Sequence, residues 1–222
     1  ALEEIIVSAQ KRNESLQTVP VSVSVTTAEM LEQRSIRNLV DLSVNTPGFY
    51  TDDVQTNTKT GIRGFTSTGS DIIESPVVTL IDGAYVSNSR LISSALYDVD
   101  RIEVLHGPQG TLFGKNAIAG VLHVITREPT EETSGYLNVE GGSYDYFRAD
   151  GAISGEIADD VYGRISAVSS QRSGWMSNSQ EPDGGGLDDE AIRARLRWDA
   201  TDKLRVDLKY EWMQHWSEGS VQ

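Results

Sequence analysis

The stretch from Arg101 to Thr126, RIEVLHGPQGTLFGKNAIAGVLHVIT, constrains the fold of this 222-residue chain more than any other. Its spacing predicts a short strand from Ile102 to Leu105 and a second from Val121 to Thr126. The turn between them holds Gly107, Pro108, Gly110 and Gly114. Glycines this dense between β-branched runs call for a tightly folded backbone, packed where side chains do not fit. Gly110-Thr-Leu-Phe-Gly114-Lys115-Asn116 has a superficial likeness to a phosphate-binding loop, which needs Gly, four residues, then Gly-Lys-Ser/Thr ahead of a helix. Here Gln109 stands where the first Gly belongs, Asn116 offers no hydroxyl to magnesium, and Ala117 to Thr126 reads as strand. Nucleotide binding is rejected.

The charge balance sets further bounds. With 33 acids against 19 bases the net charge is −14, which argues against a nucleic-acid partner. There is no cysteine, so neither a disulfide nor a thiolate metal site exists. No apolar run approaches the ~20 residues of a membrane helix, so any membrane role has to come from strands. His106, His123 and His215 are the only histidines. None has an i, i+4 metal-ligand partner or a serine in a nucleophile elbow, and no cofactor motif is present. The chain therefore reads as a non-enzyme without a metal or cofactor site, with His123 a structural strand residue. No signal peptide is recognisable, and Ala1-Leu2-Glu3 suits a mature N-terminus.

Upstream of the glycine-rich turn, Pro20 to Val25 alternates as a strand. Thr26 or Thr27 then caps a helix with Glu29 and Glu32 near its start. Met30, Leu31, Ile36, Leu39, Val40 and Leu42 supply the apolar side, with a second short helix expected over Ile36 to Leu42 and a stop at Pro47-Gly48. Thr60 to Phe65 and Val77 to Val86 read as strands, the latter broken by the tight-turn pair Asp82-Gly83. Together these make a compact α+β unit of about 130 residues, an ordinary domain size.

From Gly135 the pattern changes to five alternating strands. In the last two, Ile192, Ala194, Leu196 and Trp198 alternate with Arg193, Arg195, Arg197 and Asp199. Leu204, Val206, Leu208, Tyr210 and Trp212 alternate with Arg205, Asp207, Lys209 and Glu211. A half-exposed soluble sheet also alternates. Rows of charge, terminal aromatics and a length of ~10 residues suit a transmembrane barrel better. Short turns at Glu156 to Asp160 and Asp199 to Asp202 face a longer acidic loop, Ser173 to Asp189, on the other side. Asp183, Asp188, Asp189 and Glu190 offer carboxylates to calcium but lack EF-hand spacing, and they read as a solvated loop. Five strands cannot close, so the chain is expected to be the N-terminal part of a longer protein.

Three motifs stand in a fixed order: Ile62-Arg-Gly-Phe65, Leu80-Ile-Asp-Gly83 and Gly107-Pro-Gln-Gly-Thr-Leu-Phe-Gly114. With them, residues ~1–130 resemble the plug region of TonB-dependent outer-membrane receptors, a far stronger signal than one motif alone. The resemblance implies an α+β plug domain followed by antiparallel β-strands of an outer-membrane β-barrel, a fragment of one with roughly 22 strands. The expected division is a tether at 1–18, a plug at 19–130 and barrel strands at 131–222.

The same resemblance implies where function lies. Glu4-Ile5-Ile6-Val7-Ser8 looks like a TonB box, the segment that the periplasmic protein TonB takes up by strand addition and pulls. Nothing near it in sequence obviously pairs with it. Ser70, Asp71, Tyr85, Asn88 and Arg90, in or beside the polar stretches 66–75 and 87–96, are candidate substrate contacts at the plug apex, unless those stretches are plain solvated loop. Arg63 matches a family arginine that pairs with barrel glutamates. A second arginine usually precedes the Gly-Pro motif, where this chain has His106, so the plug-barrel lock is expected to be weaker or pH-dependent unless His106 is simply a packed turn residue. The implied function is active uptake of a scarce small molecule across a Gram-negative outer membrane, with ferric siderophores the commonest class. TonB and outer-membrane lipid are the implied partners. A passive porin-like channel and a soluble plug-like binding module are the alternatives.

Overall fold

The computed structural model describes residues 6–8, 12, 14–54, 57–66, 75–86, 96–176 and 184–217. The chain separates into two compact units, Ala1–Thr126 and Arg127–Gln222.

The first unit contains strands β1 (Ile6–Val7), β2 (Glu14–Ser15) and β3 (Val23–Thr27), helices α1 (Ala28–Gln33) and α2 (Leu39–Asn45), and strands β4 (Phe49–Val54), β5 (Asn57–Ile62), β6 (Phe65–Thr66), β7 (Val77–Ile81), β8 (Ala84–Tyr85) and β9 (Val99–His106). A short helix α3 (Gly110–Phe113) and strand β10 (Gly120–Thr126) complete it. Its main sheet runs β3-β9-β10-β7-β8, with β10 parallel to β7 and antiparallel to β9. The central β9 reads as a near-continuous buried run, as a strand covered on both faces should. Val7, Val78, Leu80, Leu105, Ala117 and Val121 form a core cluster beside this sheet, with Val23, Val25 and Phe113 packed on it.

Several expected boundaries move for local reasons. The first strand begins at Val23 rather than Pro20 and runs on to Thr27, whose hydroxyl accepts from the Met30 N–H at 3.4 Å and caps α1. Ser35, in the left-handed region, ends that helix. The second helix covers Leu39–Asn45 rather than Ile36 to Leu42. Asn38 caps it by accepting from the Asp41 N–H at 2.9 Å, while the Asp41 carboxylate reaches back to the Arg37 N–H at 3.0 Å. This reciprocal pair satisfies donors at the helix start and overrides the apolar pattern that placed Ile36 inside it. Residues 117–119 are turn, so the second strand of the glycine-rich unit begins at Gly120, and α3 occupies part of the intervening turn.

The second unit is one antiparallel meander, β11 (Ser134–Gly141), β12 (Phe147–Ala158), β13 (Val161–Arg172), β14 (Leu187–Thr201) and β15 (Leu204–Ser217). The strands outrun their expected lengths, so the connection expected over Ser173 to Asp189 shrinks to residues 173–186. Short turns at 159–160 and 202–203 lie on one side, and longer connections at 142–146 and 173–186 on the other. Which face is hidden resolves the soluble-sheet alternative. Arg148, Asp150, Arg164, Asp189, Arg193 and Arg197 are buried, while Leu137, Ile153, Ile165, Leu208, Tyr210 and Trp212 are exposed. A water-soluble sheet hides its apolar face; this one shows it and covers its charges, the arrangement of a strand wall in lipid.

Candidate functional site

The N-terminal segment is built into the first unit. Glu4 and Ile5 lie outside the described residues. Ile6 and Val7 form β1 and pair antiparallel with Ser15 and Glu14, the strand partner that sequence reading did not find. Val7 is fully buried in the core cluster, whereas Ile6 points outward. Ser8 ends the segment on a charged floor. Its N–H donates to the Glu103 carboxylate at 2.9 and 3.1 Å, and its hydroxyl lies 3.1 and 3.2 Å from the same oxygens.

Glu103 sits in the middle of β9 and is wholly buried. A carboxylate there is expensive unless paired and hydrogen-bonded. Arg101, two residues along the same strand, donates Nε–H to it at 2.8 Å and is itself held by Asp100 at 2.6 Å. Burial lowers the Arg101 pKa, but its bonds to Glu103 and Asp100 outweigh that and hold it above its usual value, so the guanidinium stays charged beside Glu103. Opposite Glu103 in the register lies His123 of β10. Its Nδ1 is 3.3 Å from the Ser8 hydroxyl, and its Nε2 accepts from the Gly83 N–H at 3.0 Å. Burial pushes the His123 pKa down, only partly offset by Glu103 and Asp82. His123, expected to be a structural strand residue, thus lies between Ser8 and Gly83. The signal that could have found it is Glu103 itself, a charge inside an apolar strand that demands partners.

Gly83 belongs to the predicted tight turn between β7 and β8. Asp82 and Gly83 both take positive φ, 48° and 82°, as a type I′ turn requires. The Asp82 carboxylate is fixed by the Thr126 N–H at 2.8 Å and the Thr126 hydroxyl at 2.7 Å. Of the apical candidates, Tyr85 follows this turn on β8 and is exposed; Ser70, Asp71, Asn88 and Arg90 lie outside the described residues.

Arg63 and His106, two candidates far apart in sequence, come together. Arg63 and Gly64 make a second turn of the same kind, joining β5 to β6, with Arg63 held in the left-handed region at φ 53°. Its N–H donates to the Gly48 carbonyl at 2.8 Å, while its side chain is exposed. His106 ends β9, buried, with Nε2 2.9 Å from the Ser24 hydroxyl. The ring also lies against Gly48, and the Arg63 guanidinium lies against Gly107. Burial, then the Arg63 charge, lowers the His106 pKa, so the ring is neutral at pH 7. His106 is therefore a packed strand-end residue with a hydrogen bond. Of the calcium candidates, Asp183 lies outside the described residues and Asp189 faces His215 Nδ1. Asp188 and Glu190 belong to β14 rather than to a loop.

Comparison with known proteins points to a family for the chain. A family model described as the TonB-dependent Receptor Plug Domain matches residues 15–121. The pesticin receptor of Yersinia pestis is 34% identical over 118 residues, 53% of this chain and 17% of that protein. The ferric-pyoverdine 358 receptor of Pseudomonas putida is 30% identical over 179 residues, 76% of this chain and 21% of that receptor. Among solved structures, the ferric yersiniabactin uptake receptor FyuA from Yersinia pestis superposes with a TM-score of 0.76 at 26% identity, covering 88% of this chain and 31% of that one. The chain thus spans about a fifth of the length of these curated relatives. The fold is an α+β plug followed by antiparallel barrel strands, and the setting is the outer membrane. Residues 15–121 match the plug domain of the TonB-dependent receptors, and the chain is a fragment of a receptor of that family.

Proposed function

We propose that this chain serves TonB-dependent uptake of an iron complex across the outer membrane, with a ferric siderophore as substrate. The observation that carries the reading is β1. A short extended segment, the one resembling a TonB box, is seated on the plug's own sheet through one buried valine and one serine. Such a segment is exchangeable: its two-residue pairing with β2 is weak enough to be replaced by strand addition to another protein. The named relatives, receptors for ferric pyoverdine and ferric yersiniabactin, support an iron complex as cargo.

In this mechanism substrate meets the plug apex at Ser70, Asp71, Tyr85, Asn88 and Arg90. The plug is held to the surrounding barrel at Arg63, and the lock is weaker at His106, which stands where the family has a second arginine. Binding frees the segment Glu4 to Ser8, TonB pairs with it and pulls, and the plug yields a path. The mechanical work comes from the inner-membrane proton gradient through TonB, so the protein hydrolyses nothing. Uptake of radiolabelled ferric siderophores by cells carrying the full receptor tests this. Uptake is expected to vanish on deleting tonB or residues 4–8. Uptake that persists in both strains assigns a passive channel instead.

A further inference from the structure

The polar floor beneath Ser8 has a fixed proton arrangement. The Gly83 N–H donates to His123 Nε2, so that nitrogen carries a lone pair and the ring proton resides on Nδ1. Nδ1–H then faces the Ser8 oxygen, and the Ser8 hydroxyl proton is directed to Glu103, whose carboxylate also takes the Ser8 and Arg101 N–H groups. The relay runs one way, from backbone donor to buried anion, and its first bond, Gly83 N–H to Nε2, depends on a neutral His123. A second ring proton on Nε2 would point at the Gly83 N–H, donor against donor, and that bond would be lost.

We propose that Ser8, Glu103 and His123 form a pH-sensitive latch that governs how often the N-terminal segment is free to meet its partner. The inference rests on the reading of that segment as the TonB-binding one. The charged groups around the ring are Glu103 and Arg101 on β9, Asp100 behind Arg101, and Asp82 on the β7–β8 turn. Glu103 and Asp82 favour the imidazolium, Arg101 and burial oppose it, and the balance lies below the ordinary 6.5. The sign follows. Docked Ser8 covers the Nδ1 side of the ring and so adds to the burial that disfavours its second proton; that part of the shift favours docking above pH 6.5 and is lost as the pH falls below it. The latch also joins the segment to the β7–β8 turn, because the ring that holds Ser8 also holds Gly83. A displacement of that turn would withdraw the Nε2 partner and loosen the Ser8 contact without any change of pH.

The test uses the full-length receptor in lipid vesicles, with a nitroxide on Ile6→Cys, a position whose side chain is exposed in the docked segment. Electron paramagnetic resonance reads the immobile and mobile fractions between pH 7.5 and 5.0. The expected result is a mostly immobile label at pH 7.5 and a docked-to-free ratio lower by roughly tenfold at pH 5.0, the weight of one hydrogen bond in a charged relay. Ser8→Ala is expected to be mobile at both pH values. His123→Gln, whose amide accepts from Gly83 and donates to Ser8 but does not titrate, is expected to stay immobile at both. An unchanged wild-type spectrum across the range overturns the proposal, as does a Ser8→Ala label as immobile as wild type or a His123→Gln label that keeps the pH response. The wild-type titration needs no variant to fold, and the spectra need no TonB. Loss of the latch with TonB-dependent uptake intact therefore refutes only the latch, and the converse refutes only the transport reading.

Discussion

Gly120 shows how narrowly a single residue can be specified. A Cβ there would lie 2.1 Å from the Leu105 carbonyl oxygen and 2.7 Å from Ile62 Cδ1, and the first of these is backbone that cannot step aside. Gly120→Ala is expected to destabilise the plug by ~3 kcal/mol or more, through strain of the β9–β10 pairing, measured by chemical denaturation of the receptor. Arg63 is specified differently. A non-glycine residue in the left-handed region costs about 1 kcal/mol, and strain of that kind persists only where the surrounding structure over-determines it. At His106 the prediction concerns pH. Burial and the Arg63 charge depress its pKa, so its neutral form stabilises the plug above pH 6.5, and that contribution fades as the pH falls below it. His106→Gln is expected to flatten the acid limb of plug stability, read as the denaturation midpoint between pH 7.5 and 5.0. His106→Arg would restore the family's second arginine. If the lock is weak because it lacks that charge, plug release and uptake should both become slower in the variant; unchanged rates would dismiss the weak-lock idea.

Among the elements, the β11–β15 sheet carries a buried charge pair. Arg193 is almost fully buried on β14, and its Nε and Nη2 both reach Glu211 Oε1 across the register pair on β15. Glu211 also pairs with Lys209 Nζ at 3.0 Å, so Arg193→Ala leaves it one of its two cations and is expected to cost ~3 kcal/mol, whereas Arg193→Met with Glu211→Leu, which only frees the longer Lys209 side chain, should cost less. Heat-modified migration of the folded receptor on gels separates the two outcomes. These strands were legible in the sequence because period-two alternation survives any tertiary context. The Asp82-Gly83 turn was equally legible, because only a pair tolerant of positive φ fits there. The second helix was misplaced by its apolar pattern, since the Asn38 and Asp41 cap contacts decided the start. The β1–β2 pairing left no trace because two-residue strands have no period to read. The Ser8 floor was hidden by the 95 residues that separate Ser8 from Glu103. Only the anomaly of a glutamate between Ile102 and Val104 pointed to it.

At the scale of the whole molecule, the second unit is defined by what its strands leave open. Among the described residues, β11 and β15 each pair on one side only. The face carrying Leu137, Ile153, Ile165, Leu208, Tyr210 and Trp212 is exposed. Register sets these side chains in rows across the sheet, Ile153 beside Ile165 and Leu196 beside Leu208. In water such a surface is unstable in two ways: the apolar rows seek burial, and the unpaired edges template further strands. In lipid the first problem disappears, but an open edge then exposes backbone groups that hydrocarbon cannot satisfy, which costs several kcal/mol for each group and forces closure by more strands. Residues 127–222 produced alone are therefore expected to aggregate in buffer and, with detergent, to remain polydisperse rather than form a defined monomer, as read by sedimentation velocity. The same strands within the full-length receptor are expected to give one monodisperse, heat-modifiable species extracted from the outer membrane. A soluble, monomeric 127–222 fragment would overturn the barrel assignment, because it would require this sheet to hide its apolar face from water without any partner.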